Sequence, residues 1–253
     1  MLGGLLLGLL GTGSSLVVLP ALSLIFPYLL KTPIAIKMAV GTCMATIAVG
    51  AIAAAFSYGK EEQASHPLLL MSCSMYLLGA FLGPWITHGL PVKALHIYIG
   101  IILLINGLYV LFNTFHHQET EALKAYSVPE VLGVSFIVAL LSSASGVASG
   151  LFMIPYLARF IPYRQAVVTA VVGAAFYATV GALSYVFMGA THPSLLPPHS
   201  WGYVYWPAFL IMAVSIAIFS PLGVWLSKKI EILWLKRIFC LVLGLAGIYI
   251  LIR

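Results

Sequence analysis

Ser142-Ser143-Ala144-Ser145-Gly146-Val147-Ala148-Ser149-Gly150, followed by Pro155, sits in the middle of an apolar run from Val128 to Phe160. Glycine weakens a helix by up to about 1 kcal/mol per residue relative to alanine, and proline removes a donor and kinks the axis. A helix through this stretch is expected to break. An earlier run has the same character: Gly8-Leu9-Leu10-Gly11-Thr12-Gly13-Ser14-Ser15, then Pro20. Small residues in membrane helices ordinarily serve close helix approach. Here both clusters lie mid-segment, both precede a proline, and both begin one half of the chain. That coincidence points to paired helix breaks around a binding site.

The surroundings require a membrane. Of 253 residues 62% are hydrophobic and 7% charged, and the mean hydropathy is +1.10. A soluble domain needs far more charge to cover its surface, whereas lipid rewards an apolar exterior. Glu61, Glu62, Glu119, Glu121, Glu130 and Glu231, the whole acidic complement, fall between apolar runs or at their ends. The net charge of +6 reads as loop Lys and Arg that fix topology, not as a nucleic-acid surface. Cys43, Cys73 and Cys240 have no ligand spacing and read as packing residues. Met1-Leu2-Gly3-Gly4 lacks the basic start of a cleavable signal and reads as the start of the first span.

Apolar runs between breakers predict an all-α polytopic membrane protein of about eight helices. These are Leu2–Tyr28, Pro33–Tyr58, Pro67–Thr87, Val92–Phe112, Val128–Phe160, Ala166–Met188, Tyr205–Leu226 and Ile232–Ile252. A polar linker over 113–127 separates a first repeat, 1–112, from a second, 128–253, within one transmembrane domain. The loop from Thr191 to Gly202 reads as irregular. Five matches occur in the same order in both halves. Pro20-Ala21-Leu22 pairs with Pro155-Tyr156-Leu157, and Lys37 to Thr42 with Arg164 to Thr169. Ser57-Tyr58 pairs with Ser184-Tyr185, Leu82-Gly83-Pro84-Trp85 with Leu222-Gly223-Val224-Trp225, and Gly107 to Leu111 with Gly247 to Leu251. Two repeats of four helices, the first of each broken, are therefore expected.

Loop charge sets the expected orientation. If all eight segments cross, Lys31, Lys37, Lys93, Arg159, Arg164, Lys228, Lys229, Lys236 and Arg237 share one side, and only Lys60, Lys124 and Arg253 the other. The first side is then cytoplasmic, both termini are external and the repeats are parallel. Inverted repeats, which need an odd number of crossings per half, rank second; a re-entrant first segment would produce them.

A broken helix presents free N–H groups and a positive dipole end at the midplane, which attracts anions. Gly11, Thr12, Gly13, Ser14 and Ser15 in the first half, with Ser145, Gly146, Ser149 and Gly150 in the second, are the candidate binding residues. Thr42 and Thr169 follow at equivalent depth, and Lys37 and Arg164 are candidate anion-attracting groups at the mouths. Trp85, Trp201, Trp206 and Trp225 read as interfacial anchors, and Asn106 as an interhelical donor. No carboxylate lies within a span, so an acidic proton or sodium relay is not expected. No spacing suggests a metal or cofactor. A serine nucleophile would lack a buried base, so no catalysis is expected either.

At these residues the chain resembles the TauE/SafE sulfite exporter family, also called the anion permeases. The carriers of the resemblance are Gly8 to Pro20, Ala39-Val40-Gly41-Thr42, Gly146 to Pro155 and Ala166-Val167-Val168-Thr169. The family's run of adjacent glycines is Gly11-Thr12-Gly13-Ser14-Ser15 here, and Ala148-Ser149-Gly150 in the second half. The resemblance implies a multi-pass transporter of sulfite, sulfonate or related organosulfur anions in a bacterial plasma (inner) membrane. Its partners would be a small inorganic or organosulfur anion and the lipid bilayer, with homo-oligomerisation left open. A passive anion channel and a non-transporting membrane enzyme or assembly subunit are the alternatives.

Overall fold

The computed structural model describes residues 3–5, 14–58, 63–115, 125–191 and 193–226. Outside the described residues lie Gly11, Thr12 and Gly13, most of the 113–127 linker and the expected segment Ile232–Ile252. Among the described residues the helices are α1 (Ser14–Leu30), α2 (Ala35–Tyr58), α3 (His66–Gly89), α4 (Val92–Phe115), α5 (Val128–Ser145), α6 (Gly150–Leu157), α7 (Tyr163–Ala190) and α8 (Trp206–Leu226). Residues 3–5 are also helical. Pro67 and Pro129 occupy the first turns of α3 and α5, where a missing N–H costs nothing.

Five of these helices, α2, α3, α5, α7 and α8, are long and apolar enough to cross a membrane. Burial ranks them. In the apolar window of α2 72% of residues are buried, and in α7 61%, against 33%, 39% and 28% for α3, α5 and α8. The low-burial helices turn large apolar side chains outward, among them Leu70, Ile211 and Ile218, which only lipid accommodates at this density. The central pair is rich in small residues: α2 runs AVGTCMATIAVGAIAAA and α7 AVVGAA, so their backbones can approach closely.

Helix directions follow from a few contacts. Ser65, just before α3, donates its N–H to Thr169 Oγ1 near the start of α7. Ser184, late in α7, donates to Phe81 O, late in α3. Hence α3 and α7 are parallel. Lys37, at the start of α2, donates to His88 O at the end of α3, so α2 opposes α3 and therefore α7. The expectation of parallel halves does not survive this: α2 and α7, which the match of Lys37–Thr42 with Arg164–Thr169 pairs in sequence, are antiparallel. Lys31, Lys37 and Lys93 consequently lie at the opposite end of the bundle from Arg159 and Arg164, not with them on one side.

The cause lies in the fifth segment. It breaks where expected, but it doubles back instead of continuing across. Glu130, in the first turn of α5, stands 4.0 Å from Arg159, just beyond α6, and the rings of Tyr126 and Phe160 are 6.2 Å apart. Both ends of the α5–α6 hairpin are thus on one face. As a single helix the Val128–Phe160 stretch would be about 50 Å long, far more than a bilayer core of about 30 Å. Residues 3–5 also fold against α1. A β-carbon on Gly3 would stand 3.4 Å from Ser14 O and 3.5 Å from Val18 Cγ2, whereas one continuous helix would separate residues 3 and 14 by about 16 Å. The loop expected to be irregular holds a 3₁₀ turn, Pro193–Leu195, and a two-stranded antiparallel hairpin, β1 (Ser200–Trp201) and β2 (Val204–Tyr205), with Ser200 opposite Tyr205.

Candidate functional site

Gly146 ends α5 in the left-handed region, φ 73°, where a side chain is strained. Its N–H bonds Ser143 O at 3.3 Å and the next N–H, of Val147, bonds Ser142 O at 3.1 Å. This is the paired closure that a glycine after a helix end permits. The carbonyls that follow are also claimed. Cys43 of α2 donates its thiol to Gly146 O at 3.4 Å, and Tyr177 of α7 its hydroxyl to Val147 O at 3.0 Å. Ser149 O accepts the N–H groups of Phe152 and Met153 and opens α6.

The donors of the break point the other way. Ala148 N–H donates to Ser15 Oγ at 2.9 Å, so the two sequence-selected clusters touch. Ser14, Ser15, Ser145 and Ser149 have no exposed surface. Ser145 is turned onto its own helix, donating toward Leu141 O or Ser142 O. Ser14 Oγ and Ser149 Oγ have no hydrogen-bond partner. Each stands six residues before a proline, Pro20 and Pro155. The N–H groups of Gly150 and Leu151 belong to the first turn of α6 and have no helical acceptors. The junction therefore concentrates neutral donors: two unpaired hydroxyls, the hydroxyl proton of Ser15 and a helix start.

Thr42 and Thr169 each hold a backbone N–H that comes from another element. Thr42 Oγ1 accepts the N–H of Tyr205 at 3.0 Å, one residue before α8. Thr169 Oγ1 accepts that of Ser65 at 3.0 Å, one residue before α3, and donates to Gln165 O. Lys37 is buried and occupied by His88 O at 2.6 Å, while Arg164 is exposed at the other face. His88 Nδ1 lies 2.9 Å from Tyr203 Oη. Burial pushes the Tyr203 phenol above its ordinary pKa, so it is protonated and able to donate to that ring.

Sequence reasoning missed the tyrosines. Tyr76, Tyr177 and Tyr185 are among the largest fully buried side chains. Tyr185 Oη lies within reach of Ser143 O and Thr87 Oγ1, both 2.9 Å, and Thr87 Oγ1 donates to Ala144 O at 2.7 Å. The available signal was three phenols inside apolar runs, where a hydroxyl needs a partner. Cys43, read as packing, also serves the break. Among the described residues no three His, Cys, Asp or Glu side chains gather to hold a metal.

A bundle crossed by long apolar helices and interrupted by a buried, donor-rich junction is a polytopic membrane protein of the transporter class. The family model of the sulfite exporter TauE/SafE matches residues 1–250, and the chain belongs to that family. It is 28% identical over 262 residues to a probable membrane transporter protein of Haemophilus influenzae, covering 100% of this chain and 95% of that protein. To a probable membrane transporter protein of Methanocaldococcus jannaschii it is 27% identical over 254 residues, covering 98% and 91%. No solved structure matches the chain.

Proposed function

We propose that this protein is a plasma-membrane permease for sulfite, a sulfonate or a related organosulfur anion, of bacterial origin, and that the anion binds at the junction of the two breaks. The observation that carries this reading is the bond from Ala148 N–H to Ser15 Oγ beside the unpaired hydroxyls of Ser14 and Ser149. Buried polar groups ordinarily pair, and neutral N–H and O–H donors suit an oxyanion without a buried countercharge. Ser14, Ser15 and Ser145 to Gly150 form the binding shell, and the sequence pattern alone assigns Gly11, Thr12 and Gly13 to it. Thr42 and Thr169 act on it by fixing where α8 and α3 begin, each accepting a backbone N–H, and Thr169 spends its own proton on Gln165 O.

The halves 1–112 and 128–253 act as inverted repeats, joined by the 113–127 linker. Reciprocal contacts support this. Thr42 meets Tyr205 as Thr169 meets Ser65. Gly4 packs against Ile216 and Phe219 of α8, as Gly79 of α3 packs against Ala139 of α5. Lys37 and Arg164 then guard opposite mouths, and rocking of the halves exposes the junction to each in turn. With every carboxylate between the apolar runs or at their ends, the anion's own gradient and the membrane potential drive its export. The test is radiolabelled sulfite, sulfonate and thiosulfate flux in proteoliposomes, wild type against Ser14→Ala and Ser149→Ala. Saturable flux weakened by both substitutions is the expected result; flux that neither alters refutes the site.

A further inference from the structure

Tyr76 lies in the middle of α3, 1% exposed, and its hydroxyl has no hydrogen-bond partner. The ring is fixed on two sides. A β-carbon on Gly173 of α7 would stand 2.8 Å from Tyr76 Cε2, so only glycine lets the ring lie there. On another side the Tyr177 ring is 6.0 Å away at 59°. Tyr177 in turn holds Val147 O, within the break. The Tyr76 hydroxyl adjoins that of Ser149, and neither has a partner elsewhere. Two adjacent buried hydroxyls with no partner beyond each other are the reverse of ordinary interior packing. They converge on the point where α6 begins and the N–H groups of Gly150 and Leu151 lack helical acceptors.

Resting on the anion-permease reading, we infer that Tyr76 is a substrate-contacting residue, whose phenol and the Ser149 hydroxyl donate together to one end of the bound oxyanion. The position equivalent to Tyr76 in the second half, by the match of Gly83 with Gly223, is Ile216, buried and apolar. The phenol is therefore present on the Ser149 side alone. The two ends of the site are unlike, and the Ser149 end holds the oxyanion more firmly than the Ser14 end.

The experiment compares wild type, Tyr76→Phe, Ser149→Ala and Ser14→Ala, each as the full chain. The probes are sulfite, thiosulfate and methanesulfonate, read by the concentration dependence of flux in proteoliposomes and by the thermal unfolding midpoint with and without anion. Phenylalanine keeps the contacts with Gly173 and Tyr177, so the unliganded midpoint is expected to stay at the wild-type value. The KM for the best-carried anion is expected to rise about tenfold or more, as for a lost hydrogen bond to a charged group, and the anion-induced rise in midpoint to shrink. Tyr76→Phe and Ser149→Ala together should cost less than the sum of the two, while Tyr76→Phe and Ser14→Ala should add. If Ser149→Ala weakens binding and Tyr76→Phe leaves KM and the anion-induced shift unchanged, Tyr76 is not a contact and the site stands. A fall of the unliganded midpoint in Tyr76→Phe with KM intact makes the hydroxyl structural and overturns the inference. If none of the substitutions alters either readout, or no anion of the panel crosses or stabilises the wild type, the site reading falls with it.

Discussion

Ser15 Oγ and Ala148 N, 133 positions apart in sequence, meet in one buried hydrogen bond of 2.9 Å, with Ser15 0% and Ala148 2% exposed. The bond ties the start of α1 to the turn between α5 and α6, and so makes the two halves share a single buried junction. Ser15→Ala removes the acceptor and leaves a buried N–H unpaired, a cost of about 1–3 kcal/mol. A lower unfolding midpoint and slower sulfite flux are expected. Ser15→Thr, which keeps the oxygen, should recover most of the midpoint. Thermal unfolding in detergent and proteoliposome flux measure both.

Gly146→Ala tests the turn itself. The substitution forces a β-carbon into φ 73° and brings it to 2.9 Å from Val40 Cγ1. The left-handed conformation alone costs an alanine about 1 kcal/mol, and Val40 is held at 0% exposure with nowhere to retreat. The midpoint should fall, and more steeply than for Gly133→Ala, on the same helix, where a β-carbon meets nothing within 4 Å. Equal midpoints for the two variants would contradict the hairpin turn.

Gly83→Ala addresses the seam that holds the hairpin upright. An added β-carbon there collides with Ser143 Oγ and stands 2.8 Å from Ala144 N, so α3 and α5 must separate. Overpacking of this kind costs about 1–3 kcal/mol, occasionally more. Combining it with Ser143→Ala should recover only part of the loss, because the backbone contact remains. A double variant as stable as wild type would show that the hydroxyl was the sole obstacle.

Much of this fold was legible because hydropathy and breakers carry it. The ends of α2, α3 and α7 fall close to the expected Pro33–Tyr58, Pro67–Thr87 and Ala166–Met188, and the break in the Val128–Phe160 run lies at the quoted glycine and serines. Direction was not legible. Ser145-Gly146 announces an interruption, but whether the chain kinks or reverses depends on what receives it. Here Cys43 and Tyr177 take the freed carbonyls, and Glu130 meets Arg159 on the return. These partners are distant in sequence and carry no local signal. The positive-inside count inherited the error, because it scored the run as a crossing. Thr42 and Thr169 were legible as a pair, but the backbone N–H that each accepts comes from a distant loop and carries no local signal.

The reciprocal threonines give a prediction in pairs. Thr42→Val strands Tyr205 N–H and Thr169→Val strands Ser65 N–H, each a cost of about 1–3 kcal/mol if water does not replace the oxygen. The sites share no partner, so their effects on the midpoint should add within about 0.5 kcal/mol. A positioning role further predicts that flux falls through the maximal rate with KM little changed. A large KM effect in either variant would return that threonine to the binding shell.

The orientation of the halves can be read directly from accessible single cysteines. With Cys43, Cys73 and Cys240 replaced by alanine, Lys93→Cys at the start of α4 and Arg164→Cys at the start of α7 are both on exposed residues. The bond from Lys37 to His88 O places the start of α2 beside the end of α3, and only two residues, Leu90 and Pro91, separate α3 from α4. The bond from Ser65 to Thr169 places the start of α7 at the other end of α3. Since α3 runs for 24 residues, about 36 Å, the two cysteines must lie on opposite faces of the membrane. A membrane-impermeant maleimide applied to intact cells should label one of them, and the other only after the membrane is opened. Labelling of both from the same side would mean that α2 and α7 run parallel, and the shared junction of Ser15 with Ala148 would then have to be built differently.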